Sequence, residues 1–234
     1  MHLLQAIRDA FILLFSGDAA LWQIIWVSLK TSLIALAVAA PGAIVAGYAI
    51  ASFRFRGRRI AIWLTQASLS LPTVMVGLLL YLVLSRQGPL GSLQWLFTQA
   101  GVIVGQALIV TPVLVAYTLA AVQPADVRIA ETAIALGASR WRTMLTVLYE
   151  VRFGVMAAII TGFGRVIAEV GSAIMVGGNI EGVTRTITTA IALETSKGEF
   201  AQGIALGLVL MAIALSINAI LMLVQGDARA AQGA

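Results

Sequence analysis

The chain has 234 residues, of which 60% are hydrophobic and only 11% charged. Soluble domains carry about 25% charged residues, so this composition excludes a soluble globular protein. The net charge of +5 lies in short segments between apolar stretches, which is typical of membrane-protein loops and not of a nucleic-acid-binding face. There is no cysteine and the only histidine is His2. We therefore expect no catalytic residue, no metal ligand and no bound cofactor.

Five apolar stretches predict an all-α polytopic membrane protein, with one transmembrane domain over residues 1–234. Each is longer than the roughly 20 residues that a helix needs to cross about 30 Å of hydrocarbon. Residues 1–23 resemble a signal peptide only weakly, so an interfacial helix on the outer side is favoured over a cleaved signal. The predicted spans lie at about 24–53, 60–85, 99–122, 152–178 and 201–225.

Prolines occur inside the first three predicted spans, at Pro41, Pro72 and Pro112. Each removes an intrahelical hydrogen bond, so each is expected to bend its helix. Two interpretations are open, namely bends that shape the helices for packing in a bundle and three separate hinges.

The distribution of cations predicts the orientation in the membrane. Residues 54–59 and 123–152 together hold eight arginines, whereas the alternate loops hold only Arg86, Arg185 and Lys197. Cytoplasmic loops carry the excess of cations. The sequence therefore places 54–59 and 123–152 in the cytoplasm, the N-terminus outside and the C-terminus inside.

The predicted cytoplasmic loop 123–151 has internal helix signals. Asp126 can cap a first helix, Gly137 can end it, and Ser139 can cap a second helix that leads into the fourth span. Two interpretations are open. The helix–glycine–helix element presents a convex surface to the cytoplasm, or it rests on lipid headgroups with Trp141 and the neighbouring arginines as anchors.

The stretch "ETAIALGASRWR" at 131–142 resembles the cytoplasmic loop of permease subunits in ATP-binding-cassette importers. That loop reads E-A-A, three residues, then G. Glu131, Ala133 and Gly137 match, Thr132 replaces one alanine, and the family's later I-x-L-P is not kept at 147–150. The resemblance implies a type I importer permease core whose coupling helix, at 126–142, contacts a separate ATPase. The coupling residues that it implies are Glu131, Ala133, Gly137, Ser139, Arg140, Trp141 and Arg142.

Residues 162–180 and 184–200 further resemble permeases for tetrahedral oxyanions, most closely the tungstate group and next the molybdate group. This likeness implies a homodimer in a prokaryotic plasma membrane, surrounded by lipid. Its partners would be two ATPase subunits, which hold ATP and Mg²⁺, and an extracytoplasmic binding protein. The chain itself lacks the G-x-x-x-x-G-K-[ST] pattern of ATP-binding loops. Alternatives are an importer for molybdate, sulfate or another oxyanion, and a passive anion channel or secondary carrier.

Two opposite charges, Arg165 and Glu169, stand inside the fourth predicted span. Residues four apart on a helix are neighbours, so we expect them to contact each other. Charge at such depth is costly and should face a bundle interior or water. The pair either fixes helix packing, or pairs with a second copy of the chain, or lines a translocation path. In the last case the predicted path residues are Arg165, Glu169, Gly171 and Asn179.

Residues 177–200 are predicted to be an outer loop rich in threonine. Its hydroxyls could bind an oxyanion or could simply be solvated. The resemblance to importers instead implies contact with a binding protein, for which the candidate residues are Thr184, Arg185 and Lys197.

Overall fold

The computed structural model of the protein describes residues 8, 10–12 and 15–232, and for residues 221 and 224–232 only the backbone. The described part contains helices and turns and no strand, which confirms the all-α prediction. The helices are α1 (Ala19–Ser52), α2 (Arg58–Leu69), α3 (Thr73–Leu84), α4 (Gln99–Val122), α5 (Val127–Ala135), α6 (Arg140–Glu150), α7 (Arg152–Ile167), α8 (Gly171–Gly177), α9 (Ile187–Lys197) and α10 (Phe200–Gln232), with a short 3₁₀ turn at Gly91–Leu93.

Three of these helices are long and apolar enough to cross a membrane as single rods. They are α1, α4 and the part of α10 from Phe200 to Ile220. Two further pairs meet that requirement only as bent units, α2 with α3 at 100° and α6 with α7 at 78°. The described residues therefore supply three to five crossings, and five if each bent pair crosses once.

The second predicted span, 60–85, is not one helix. Helix α2 ends at Leu69, α3 begins at Thr73, and the chain turns sharply between them. Pro72 stands at the N-cap of α3, where its missing N–H is not needed, and it restricts Leu71 to non-helical backbone. Pro41 and Pro112, by contrast, lie inside α1 and α4, which remain single helices.

The fourth predicted span, 152–178, is also interrupted. Helix α7 ends at Ile167 and α8 runs only from Gly171 to Gly177. Side chains satisfy the backbone at the break, because the Glu169 carboxylate accepts from the Ser172 N–H (3.1 Å) and Thr188 donates to the Glu169 carbonyl (2.7 Å). The break is therefore a fixed part of the structure.

Two other boundaries differ from the prediction. Asp18 caps α1 through the Ala20 N–H (2.9 Å), so residues 19–23, predicted as the end of an interfacial segment, form the start of the first long helix. The rest of that predicted segment lies largely outside the described residues. The stretch 177–200, predicted as an outer loop, contains α9, which begins with a capping box between Thr186 and Thr189 and ends at Gly198.

The core is built by three helices, α1, α4 and α7. Small alanines of α1, Ala35, Ala39 and Ala43, pack with Val110 and Leu114 of α4 and with Val166 of α7. Helix α4 is the most enclosed of the three long helices, because 56% of its most apolar stretch is buried, against 17% for α10. The large apolar side chains on the outer faces of α1 and α10 are exposed, as expected where lipid covers them, and include Trp26, Val38, Met211 and Leu215.

Helices α3 and α8 interlock at a glycine. A Cβ on Gly77 would stand 2.7 Å from the Ser172 Cα and 3.0 Å from the Met175 Cβ. We expect Gly77→Ala to push α8 away from α3 and to lower the melting temperature of the purified protein, with an overpacking cost of about 1–3 kcal/mol. Gly42→Ala is the matched control, because nothing lies within 4 Å of a Cβ there. Equal melting temperatures of the two variants would contradict this packing.

Candidate functional site

The helix–turn–helix element α5–α6 is built by the local signals that the sequence predicts. The Asp126 carboxylate accepts from the Arg128 N–H (2.9 Å), and the Ser139 hydroxyl accepts from the Arg142 N–H (3.4 Å). Gly137 adopts φ +82°, and the Ala138 N–H returns to the Ala133 carbonyl (2.9 Å). This is the left-handed termination that favours glycine, so the predicted helix, glycine turn and second helix are confirmed.

A small apolar cluster fixes α6 against one end of the bundle. Met144 and Val147 of α6 pack on Tyr48 of α1 and Val122 of α4. The cluster therefore joins α6 directly to two of the three helices that build the core.

Part of the surface of α5–α6 is apolar and uncovered. Leu136, at the tip, is 83% exposed, and Ile134, Val127 and Trp141 are also largely exposed. Of the residues predicted for coupling, Ala133 is buried and faces the bundle, whereas Glu131, Gly137, Ser139, Arg140, Trp141 and Arg142 are exposed. Such a cluster of exposed large apolar side chains, rimmed by charge, marks an interaction surface.

Arg165 and Glu169 form the predicted ion pair, although no continuous helix joins them. Arg165 Nη1 lies 2.9 Å from Glu169 Oε2, and the second carboxylate oxygen accepts from the Ser172 N–H. The Glu169 side chain is 2% exposed, whereas that of Arg165 is 39% exposed. Glu169 is therefore a buried carboxylate at the break between α7 and α8. The Arg165 guanidinium contacts this carboxylate and is also exposed to an open space.

That open space is a half-open cavity of about 460 Å³ lined by residues of α2, α3 and α4 and by Arg165 of α7, beside the sharp turn at Pro72. Its wall is mostly apolar, and Arg165 is the one charged residue that lines it. The hydroxyls of Thr65, Ser68 and Thr111 donate to carbonyls of their own helices, so they offer lone pairs rather than donors. Among the described residues, an anion in the cavity would thus meet a single shared cation, Arg165, and the hydroxyl of Thr73, which also lines the wall.

The other predicted path residues do not line this cavity. Glu169 is buried behind Arg165, and Gly171 packs against α3, where a Cβ would come within 3.0 Å of the Thr73 hydroxyl and the Val74 nitrogen. The Asn179 amide donates to the Thr189 carbonyl (3.3 Å) within the outer segment. The structure therefore brings one of the four predicted residues, Arg165, to the cavity wall.

The threonines of residues 177–200 are mostly structural. Thr184, predicted to contact a binding protein, is fully buried, and its hydroxyl bonds to the Gly177 carbonyl and the Ile180 N–H. This corrects the prediction for Thr184, because its side chain is not available at the surface. Thr186, Thr188 and Thr189 are likewise buried and bond to one another or to backbone.

Each of the two predicted docking cations is paired with an acidic residue. Arg185 lies 3.3 Å from Glu181 and its side chain is 14% exposed, whereas Lys197 lies 3.1 Å from the buried Glu194 and is 49% exposed. Lys197, Glu181 and Glu199 are thus the exposed charged residues of this segment.

Replacing Thr184 with valine keeps its shape and removes its two hydrogen bonds. Two buried backbone groups would lose a partner, so we expect a stability loss of about 1–3 kcal/mol, measured as a lower melting temperature. Thr195→Val, at an exposed position of α9, is the control and should change little. The structural assignment of Thr184 would fail if Thr184→Val melted like wild type while uptake of the transported solute was lost.

Sequence reasoning missed the cavity and its hydroxyl-bearing wall. Thr65, Ser68 and Thr111 lie on two helices that are distant in the sequence and face one space only after packing. The hydroxyls at three-residue spacing on α2 were the only local signal for this wall.

The chain has the features of a membrane transport permease. These are several apolar helices, breaks in two of the crossings, a cavity that bears a charge, and an uncovered helical hairpin. The particular family follows from comparison with known sequences. The chain belongs to the family of binding-protein-dependent transport system inner membrane components, whose profile matches residues 39–229.

Relatives of established name cover almost the whole chain. The Tungstate uptake system permease protein TupB of Campylobacter jejuni is 38% identical over 217 residues, which is 93% of this chain and 91% of the relative. TupB of Peptoclostridium acidaminophilum is 36% identical over 226 residues, 97% and 99% of the two chains. The Molybdenum transport system permease protein ModB of Escherichia coli K12 is 29% identical over 211 residues, 86% and 91%.

Proposed function

We propose that the chain is the membrane-spanning subunit of an ATP-driven importer for a tetrahedral oxyanion, and that this anion is tungstate. The observation that carries the proposal is the single cation, Arg165, shared between a buried carboxylate and an apolar cavity. Transport requires a site that attracts an anion and still releases it. The likeness to two tungstate permeases, higher than that to a molybdate permease, supports the choice of anion.

The driving force comes from a partner. The chain has no ATP-binding loop pattern, and the uncovered apolar side of α5–α6 suits a groove on an ATPase subunit. In this proposal the exposed coupling residues, Glu131 and Ser139 to Arg142, contact the ATPase, which holds ATP and Mg²⁺. The chain itself is not an enzyme and binds no cofactor.

Two copies of the chain form the complete permease, with one ATPase beneath each. When ATP closes the two ATPases, the two α5–α6 elements move together, and the apolar cluster at Tyr48, Val122 and Met144 carries that movement to α1 and α4. The path then opens outward to receive the anion. Hydrolysis returns it to the inward-facing state and releases the anion to the cytoplasm.

The orientation follows from charge. Eight arginines lie in 54–59 and 123–152, so this side faces the cytoplasm, which places the N-terminus outside and the C-terminus inside. The outer segment with α9 then meets the extracytoplasmic binding protein, with Lys197 and, less accessibly, Arg185 at the contact.

The proposed substrate is tested on the partner binding protein, because selectivity is expected to reside in the protein that captures the anion. We expect it to retain tungstate more tightly than molybdate, and both far more tightly than sulfate, in an equilibrium dialysis assay. Retention of phosphate or of an amino acid instead would overturn the choice of substrate class.

A passive channel or secondary carrier is the alternative of a different class. It would account for the cavity and Arg165 but would leave the uncovered side of α5–α6 without a role. Purification of the chain without any ATPase, together with anion transport by that preparation, would establish this alternative.

A further inference from the structure

The loop between α1 and α2, together with the first turn of α2, carries four arginines and no acidic residue. Residues 54–59 read RFRGRR, and the nearest acidic residues in the sequence are Asp18 and Asp126. Within the described residues no ion pair involves these arginines, and Arg54, Arg56 and Arg59 are all exposed. Membrane-protein loops commonly carry cations, but most need no defined geometry.

One arginine of the loop, Arg58, has a structural role in the loop. Arg58 donates from Nε to the Ile50 carbonyl (2.7 Å) and from Nη2 to the Ala51 carbonyl (3.3 Å), and so caps the end of α1. The chain turns at Gly57, which adopts φ +92° and has nothing within 4 Å of a Cβ position. The other three arginines, Arg54, Arg56 and Arg59, line an open hollow of about 590 Å³ together with Arg58.

Helix α2 also begins at this hollow. Helix α2 starts at Arg58 with no side-chain cap and no acidic residue in its first turn. Free N–H groups at a helix start favour an anion, and guanidinium groups bind phosphate oxygens in pairs. The chemistry of the hollow therefore fits a phosphate group.

Two exposed apolar side chains, Phe55 and Ile60, line the same hollow. Phe53 and Trp63, which lie close by in the sequence, are also half or more exposed, and α2 buries none of its residues within the protein. Aromatic residues next to arginines are typical of the boundary between headgroups and acyl chains. A ligand that matches both the arginines and the apolar side chains carries a phosphate and an apolar tail. A soluble anion has no such tail.

We propose that residues 53–63 bind the headgroup of an anionic phospholipid, with Arg54, Arg56 and Arg59 on its phosphate and Phe55, Ile60 and Trp63 along its acyl chains. The site is distinct from the cavity at Arg165 and does not depend on the identity of the transported anion. Because α2 leads directly to the wall of that cavity, a bound lipid would also hold α2 in place.

The site is tested on the purified full-length chain in detergent by native mass spectrometry with added phosphatidylglycerol or phosphatidylcholine. Each arginine near an anionic headgroup contributes roughly five-fold in binding, so we expect R54Q/R56Q/R59Q to lose about 100-fold in affinity for phosphatidylglycerol. R54K/R56K/R59K should lose much less. The control R86Q removes an exposed cation on the opposite side and should bind as wild type does.

Three results would overturn the proposal. The first is unchanged phosphatidylglycerol binding by R54Q/R56Q/R59Q, or by R54Q alone if the triple variant fails to purify. The second is displacement of the lipid by millimolar inorganic phosphate or tungstate, which would identify a site for soluble anions. The third is a triple variant that keeps the lipid and loses a co-purifying ATPase, which would identify a protein contact.

Discussion

Replacing Arg165 with glutamine is expected to reduce oxyanion uptake by about 10- to 100-fold in a complex that still assembles. A hydrogen bond to a charged group contributes about 1.5–3 kcal/mol, and glutamine offers a passing dianion no charge. Arg165→Lys, which keeps the charge, should retain a larger share of uptake. The measurement is the initial rate of uptake into cells or vesicles, normalised to the amount of assembled complex.

The Arg165→Gln variant also leaves the Glu169 carboxylate buried without its cation. Removing one partner of a fully buried pair costs about 3–5 kcal/mol, and less here because Arg165 is 39% exposed. The double variant R165Q/E169Q separates the two effects, because it is neutral and should regain the wild-type melting temperature. If it also regains uptake, Arg165 serves only the packing of the break; if uptake stays low, Arg165 acts on the anion.

Replacing Leu136 with aspartate is expected to detach the ATPase subunit while leaving the fold of the chain intact. Leu136 is 83% exposed at the tip of α5–α6, so the change costs no core packing. It would place a charge in the proposed apolar contact, where central residues typically contribute 2 kcal/mol or more. We expect at least about 30-fold weaker co-purification of the ATPase and a matching loss of uptake.

Leu90→Asp is the matched control for this variant. Leu90 is also exposed, lies in the loop before α4 on the opposite side of the protein, and undergoes the same change of chemistry. It should leave ATPase binding unchanged. Normal ATPase binding by Leu136→Asp would favour the lipid-anchor interpretation of α5–α6, in which the tip rests on headgroups.

The features that the sequence predicted well are those that local chemistry determines. Asp126 and Ser139 cap helices through N–H groups two and three residues away, and Gly137 terminates α5 because a left-handed residue is needed there. The contact of Arg165 with Glu169 was also predicted, since four residues suffice to bring the two groups together even where the helix ends between them.

The features that the sequence did not predict depend on partners far along the chain. The break after α7 is held by Thr188, which is 19 residues beyond Glu169. Thr184 is buried because its hydroxyl donates to the Gly177 carbonyl and accepts from the Ile180 N–H. The polarity of the threonine side chain alone predicts an exposed position. The cavity exists only where four helices meet.

Helix α9 is a different case, because its signals were visible. Thr186 stands at its N-cap and Gly198 at its end, as in many helices. The content of threonine favoured a loop, but Thr188 and Thr189 are buried in the first turn and their hydroxyls serve the backbone. A polar segment between two spans can therefore be a packed helix when its hydroxyls satisfy nearby carbonyls.

Reconstitution of the chain with its ATPase and binding protein in vesicles, followed by measurement of tungstate accumulation, tests the proposed transport function most directly. We predict uptake that requires ATP, the binding protein and the ATPase together, and that falls to background when any one is omitted. Tungstate flux through the chain alone, independent of ATP, would contradict it.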